Sequence, residues 1–297
     1  MKAPMKRSFY RNGSGRENHG RRRTMPLMDF ACVIVCMTAL LNTPDALAQS
    51  LSLGGVAGDQ PIEVYAQDGI EWQQDGNLFV ARGDARAVRG EVEVLSDELR
   101  AHYRETASGQ SEVWRLDALG NVRIVSNSET AYGDRAIYNA DQKVLVVDGK
   151  SPRLVSGQDT LSASQQLEYW ELKKYAVARG DAVASRDKKK VFADVLVAHL
   201  RPDDKGNTRV YRVDAYDNVR IRTERETATG DRGVYNVESG IATLTGRVRL
   251  VRDDNVLRGC RAQVNLNTGI SQLFACSSDQ GTGRVQGSFI PKNRSNN

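Results

Sequence analysis

The sequence predicts an all-β chain, a stack of antiparallel strands built from a tandem repeat, with no significant helix after an N-terminal export signal. Three observations predict it. A block of sequence returns 97 residues later without a gap. Apolar and polar residues alternate with the period of a half-buried strand. No segment beyond the first fifty residues holds a helical period over three turns. Residues 161–175 come nearest, yet Leu161, Ala163, Leu167 and Tyr169 fit strand alternation equally well.

The first element is an address. Arg21-Arg22-Arg23 precede the twelve apolar-rich residues Phe30 to Leu41, and Ala46-Leu47-Ala48 stand before Gln49. That is a basic n-region, a short h-region and an A-x-A cleavage site. The h-region falls short of the ~20 residues of a comfortable membrane span, and an uncleaved anchor helix is the alternative. No Cys follows the cleavage site, which speaks against a lipoprotein anchor. The paired arginines leave the twin-arginine route open, although their surroundings match its motif poorly. Residues 1–20 read as a dispensable extension, so 1–48 are expected to be signal peptide plus extension.

The charge follows the same division. Eight of the 42 Lys and Arg and three of the 37 Asp and Glu lie in residues 1–48, which leaves 34 of each sign beyond. The basic balance belongs to the leader and is no argument for nucleic-acid binding. No later apolar run reaches the ~18 residues of a span, which excludes a polytopic membrane protein built of helices. A hydrophobic fraction of 40% excludes wholesale disorder.

The repeat organises the rest. Val80 to Ala85 (VARGDA) returns as Val177 to Ala182, and Asn121-Val122-Arg123-Ile124 as Asn218-Val219-Arg220-Ile221. Gly133-Asp134-Arg135 and Tyr138-Asn139 return as Gly230-Asp231-Arg232 and Tyr235-Asn236. The units run from about 66 to 149 and from 163 to 246. Turn-type pairs mark a finer beat: Gly83-Asp84, Gly120-Asn121, Gly149-Lys150, Gly180-Asp181, Asp217-Asn218 and Gly246-Arg247, at intervals of 37, 29, 31, 37 and 29 residues. With strands of the usual ~5–6 residues, this spacing predicts roughly 16–20 short antiparallel strands.

A C-terminal hairpin spans 256–276. Asn267-Thr268-Gly269 suits a three-residue loop with Gly in the left-handed position. Centring the turn on Thr268 sets Val264 against Gln272, Ala262 against Phe274 and Cys260 against Cys276. Neighbouring strands bring such residues within disulfide reach, and two Cys in an exported protein suggest a bond, with two buried free thiols as the alternative. Residues 277–297, polar and rich in Gly, Ser and Asn, are expected to form a loose, disordered tail.

Signs of chemistry are sparse. His102 and His199 lie 97 residues apart and occupy one repeat position, which suits structure better than catalysis. Neither has a zinc-ligand spacing, and nucleophile-elbow and phosphate-loop motifs are absent. Asp84, Asp134, Asp181 and Asp231 follow Gly but lack the acidic density of calcium-binding repeats, so they read as turn or cap residues. Lys188-Lys189-Lys190 read as a solvated hairpin tip, with contact to a lipid phosphate as the alternative. No catalytic residue, metal site or cofactor is expected.

These residues resemble a known family. The Pro61 to Ala66 start (PIEVYA), the apolar strand into Gly83-Asp84, Ser96-Asp97 before Leu99, and the segments Tyr132 to Tyr138 and Thr229 to Tyr235 are similar to the LptA/OstA-like domain of periplasmic lipopolysaccharide-transport bridge proteins. The resemblance covers about 57–276. It implies an open β-jelly roll, a bent taco-like stack with an apolar interior, joined head to tail by strand pairing. It implies a non-enzymatic carrier of lipopolysaccharide (lipid A) located in the periplasm. The implied partners are the OstA-like domains of the inner- and outer-membrane transport subunits, with a head-to-tail homo-oligomer besides. This chain is longer than a typical bridge protein. Candidates for the lipid-facing wall are inward positions beside the turn-type pairs: Val122, Ile124, Tyr138, Val219, Ile221, Tyr235, Val248, Leu250 and Phe274. The rival readings are a structural β-solenoid envelope scaffold and a membrane-tethered subunit of the same transport system.

Overall fold

The computed structural model describes residues 62–126, 129–202, 208–278 and 281–289. The expected signal peptide lies outside the described residues, as does much of the expected tail. The strands are β1 (Glu63–Tyr65), β2 (Gly69–Gln73), β3 (Leu78–Arg89), β4 (Val92–Glu105), β5 (Ser111–Ser126), β6 (Glu129–Asn139) and β7 (Val144–Asp148). Then come β8 (Arg153–Ser156), β9 (Asp159–Ser162), β10 (Gln166–Trp170), β11 (Tyr175–Arg186), β12 (Lys189–Pro202) and β13 (Thr208–Arg222). The series closes with β14 (Thr227–Asn236), β15 (Ile241–Arg252), β16 (Asn255–Asn265), β17 (Ser271–Phe274), β18 (Ser277–Ser278), β19 (Gly281–Thr282) and β20 (Gln286–Ser288). Among the described residues there is no helix, and each strand pairing is antiparallel.

The chain is all-β, and its strands follow one another as rows. β3 to β6 pair in sequence, as do β11 to β16. One edge row consists of β2 and β1, which cover the two halves of β3. In the middle, β7 and β8 divide the face of β6 between them, and β10 and β9 divide that of β11. The far row consists of β17 and β20 on the two halves of β16.

Five of the six turn-type pairs do not end strands but sit in the middle of them; Gly149-Lys150 alone follows a strand end, between β7 and β8. Register shifts fall between Arg82 and Ala85, Leu119 and Val122, Arg179 and Ala182, Tyr216 and Val219, and Thr245 and Val248. At four of these corners two consecutive residues are left-handed: Gly83 and Asp84 at φ 79° and 42°, Gly120 and Asn121 at 76° and 48°, Gly180 and Asp181 at 82° and 42°, Asp217 and Asn218 at 60° and 51°. A pair with positive φ at both residues is what a two-residue hairpin asks for, so local chemistry alone reads the same way in both settings. The real hairpin tips carry their own left-handed residues at Gly90, Gly157, Asp187 and Asp253. The strands are therefore long, up to the 16 residues of β5, and bent, rather than short and straight.

At four of the turn-type pairs a backbone or side-chain donor is taken up by a carboxylate of the neighbouring row. Asn121 Nδ2 donates to Asp97 at 3.0 Å and Asn218 Nδ2 to Asp194 at 2.9 Å. The Lys150 and Arg247 amides donate to Asp134 and Asp231 at 2.8 and 3.2 Å. The bends divide every row into two halves and so make two laminae. Inward residues of both meet in two apolar clusters, one around Ile124, Ala131, Tyr138 and Leu145, the other around Leu196, Val219, Leu244 and Leu250. Small residues at the second contact, with Ala178, Ala182 and Ala262 at 0% exposure, let the laminae close tightly there.

The C-terminal hairpin differs from expectation by one residue. Val264 faces Ser271, Ala262 faces Leu273 and Arg261 faces Phe274. The loop holds four residues, because Gly269 N–H donates to Asn265 O at 2.8 Å and Asn265 N–H to Ile270 O at 2.9 Å. Asn265 Oδ1 also accepts from the amides of Asn267 and Thr268, both at 3.0 Å, which fixes the wider turn. A slip of one residue exchanges the faces of a strand. Leu273 therefore joins the interior, whereas Phe274 lies under the Arg261 guanidinium, 4.3 Å from its ring centre, on the other face. β17 ends at Phe274, and Cys276 reaches Cys260 from outside the ladder. The two cysteines form a disulfide with Cα atoms 4.9 Å apart.

Candidate functional site

Between the two laminae, at the β1/β2 edge, lies a cavity of about 350 Å³. One lamina supplies Ile70, Phe79, Leu99, Leu116, Tyr138 and Leu145, and the other supplies Val64, Val94 and Ile124. Alternation explains the set. Val122 and Ile124 stand two and four residues after the Gly120 corner, and Ala118 and Leu116 two and four before it, so both halves of β5 point inward. Val64 and Ile70, at 39% and 55% exposure, leave the cavity open at the sheet edge.

The expected wall residues part company here. Ile124 and Tyr138 line the cavity, and Val122 is buried in the same apolar cluster. Val219, Ile221, Val248 and Leu250 are buried in the second cluster, with Tyr235 packed against it. In that cluster Leu244 and Ala262 are at 0% exposure and Val264 at 2%. Phe274 is corrected out of the set, because the one-residue shift of its hairpin turns it away from the interior. Phe79, Val94, Leu99 and Leu116 belong to the wall and were missed. Counting four residues back from the Gly83 and Gly120 corners would have found Phe79 and Leu116, whereas the bend of β4 at Ser96-Asp97 carries no turn-type pair to count from.

The walls are not wholly apolar. Glu129 begins β6 on the inward parity, at 2% exposure, with Ser126 and Ser156 across its two neighbours. Neither carboxylate oxygen has a hydrogen-bond partner. Burial pushes this carboxyl up to about 8, and the Ser156 hydroxyl opposes the shift without reaching bonding geometry. The Tyr138 hydroxyl is buried and unpartnered too. Burial pushes it up to about 12, Glu171 adds to the shift, and Arg89 acts against it.

The outer faces hold repeated polar sets. His102 Nε2 lies 2.9 Å from Asp117 Oδ2, whose other oxygen accepts from Arg115 Nε at 2.8 Å. His199, Asp214 and Arg212 repeat this at 2.9 and 2.6 Å. Each carboxylate is held by two partners within its own sheet, a cross-strand brace rather than a nucleophile and base. Lys188 caps the tip between β11 and β12 and pairs with Glu224 at 2.7 Å. Among the described residues no group of His, Cys, Asp and Glu could hold a metal ion.

The fold is an all-β chain of bent rows with an apolar hollow between its laminae. In the comparison with protein families, residues 66–165 and 162–270 each match the family described as LptA/(LptD N-terminal domain) LPS transport protein. The chain belongs to this family, which is one of transport components and not of enzymes. An uncharacterized protein of Rhizobium meliloti (strain 1021) is 33% identical over 93 residues, or 31% of this chain and 47% of that protein. The match thus spans about half the length of that relative. Among solved structures, LptH, the LptA-homologous periplasmic component of the lipopolysaccharide transport device of Pseudomonas aeruginosa, aligns over 78% of this chain and 96% of its own, with 13% identity and a TM-score of 0.21.

Proposed function

We propose that the chain carries lipopolysaccharide through the periplasm between inner- and outer-membrane transport complexes, with acyl chains sheltered between its laminae. The observation that carries this reading is the apolar cavity open at the β1/β2 edge in a member of a lipopolysaccharide-transport family. A buried CH₂ contributes about 0.8 kcal/mol, so a twelve-carbon chain gains roughly 10 kcal/mol from shelter. A lipid with several such chains needs cover along its whole path. The edge rows supply continuity: among the described residues β1/β2 at one end and β17/β20 at the other each leave one side without a strand neighbour, where another OstA-like domain or a second copy adds on. The N-terminal leader directs the chain out of the cytoplasm, and the tip lysines stay in water.

A photo-crosslinking amino acid at Ile124 and, separately, at Ile221 tests the path. Ile124 lines the hollow and should give an adduct with lipopolysaccharide in cells, whereas Ile221, packed in the second apolar cluster and no part of that hollow's wall, should give less. Absence of an adduct at both would overturn the interior path and leave an envelope scaffold.

A further inference from the structure

Two pairs of like charges face each other across strands in the second half of the chain. Lys190 on β12 stands directly opposite Arg222 on β13, and Arg249 on β15 directly opposite Arg258 on β16. Like charges so placed destabilise a sheet, and a carboxylate set among them would relieve it. None is. The nearby carboxylates are held by other cations: Glu224 by Lys188, Glu226 by Arg252 and Asp231 by Arg247. Among the described residues no salt bridge includes Lys190, Arg222, Arg249 or Arg258.

All four lie on the outer face of one lamina. Ile221, Ala228 and Leu250 turn inward to the second apolar cluster, so the residues beside them on each strand turn out. Arg220 joins the set, its guanidinium 4.2 Å from the Phe192 ring centre. The five cations are exposed. They extend from β12 to β16, about 19 Å at the usual spacing of strands. The outward positions between them hold Phe192, Thr227, Thr229, Val251 and Val256, and no carboxylate. The first half does not repeat the arrangement. Glu93 stands where the second half has Lys190, Val125 stands where it has Arg222, and Glu93 is paired with Arg86. A cavity of about 700 Å³ opens at the corner side of the band, lined by Phe192 and Arg220 but also by Asp181, Asp194 and Asp231. Three carboxylates make it a poor seat for one small anion. The cations are spread over a plane rather than gathered round a point.

We infer that this face docks on the surface of a bilayer that contains anionic phospholipid. A plane of phosphates matches a plane of cations, and guanidinium groups bind phosphate through two parallel hydrogen bonds. The stems of the long side chains and the apolar residues between them settle at headgroup level, while the charged ends stay in water. Each Lys or Arg held at such a surface tightens binding about fivefold, so the attachment is real, reversible and released by salt. Docking of this kind goes beyond the carrier reading and needs no lipid in the hollow.

Co-flotation of the full chain with vesicles of phosphatidylcholine, with and without phosphatidylglycerol, tests the assignment. The N-terminal segment is common to every variant, so the differences between variants are read. Arg222→Gln combined with Arg249→Gln should weaken binding to the anionic vesicles roughly 25-fold and leave the phosphatidylcholine arm unchanged. Arg123→Gln combined with Arg153→Gln, exposed arginines on the outer face of the first half, should leave most of the binding in place. The first double variant removes one member of each opposed pair, so its thermal midpoint should be no lower than that of the wild type, which separates lost docking from lost folding. Inorganic phosphate at matched ionic strength should not compete, and displacement by it would make the face a site for the free ion. Binding to polyglutamate that depends on Arg222 and Arg249, without binding to anionic vesicles, would put an acidic protein in place of the bilayer. Equal flotation of wild type and the first double variant with anionic vesicles would overturn the face itself.

Discussion

Glu129→Gln removes a group that the fold holds out of water without a partner. The folded-state value of about 8 stands above the ordinary value of 4.5, so the folded chain keeps a proton that the unfolded chain has released. Stability from this group is therefore full below the ordinary value and is lost as pH climbs from there to about 8. One pH unit between the two values is worth about 1.36 kcal/mol. The wild-type penalty is then near zero at pH 4, roughly 3 kcal/mol at pH 7 and up to about 5 kcal/mol above pH 9. Glutamine keeps the shape and cannot ionise. Urea unfolding of both proteins at pH 4, 7 and 9 reads the difference directly. The variant should match the wild type in acid and exceed it increasingly toward alkali. A gap that stays flat with pH, or a variant weaker than wild type at pH 9, would refute the reasoning. Glu226→Gln makes the contrast, since it breaks the pair with Arg252 at 2.7 Å and should cost about 1 kcal/mol.

Removing the disulfide by Cys260→Ser with Cys276→Ser, across a sequence separation of 16, should cost about 3 kcal/mol in chemical denaturation, and wild type under reductant should behave the same way. Gly120→Ala places a Cβ 2.1 Å from Asp97 Oδ2 at φ +76° and should cost about 1–3 kcal/mol, read as a lowered thermal midpoint. Leu244→Ala, at 0% exposure in the second apolar cluster, should cost about 3–5 kcal/mol, whereas Leu99→Ala beside the hollow should cost less than half as much in the same urea titration.

The all-β class and the repeated rows were legible because alternation and the 97-residue return survive in the sequence without any tertiary help. The bends were legible as chemistry and misread as architecture: Gly83-Asp84 and Gly120-Asn121 announce two left-handed residues, and nothing local says whether a chain reverses there or turns a corner. The hairpin register failed for a similar reason. The side-chain oxygen of Asn265, outside the expected loop, widens the turn by one residue and sends Phe274 to the opposite face. Ile124 and Ile221 are identical in type and repeat position, yet one lines the hollow and the other packs in the second apolar cluster. That difference depends on how two laminae far apart in sequence close on each other. The unpaired state of Glu129 was equally hidden, since it turns on Ser156 standing where its counterpart meets Arg252.

The last row is made of two loose pieces, β17 and β20, laid end to end along β16, and the sulfur bridge sits at the seam between them. Such a seam works like a stitched hem. While the stitch holds, one face of β16 stays covered and the outermost border of the fabric is set by β17 and β20. The ladders hold each piece along its length, and the stitch ties the chain leaving β17 back to the strand that it covers.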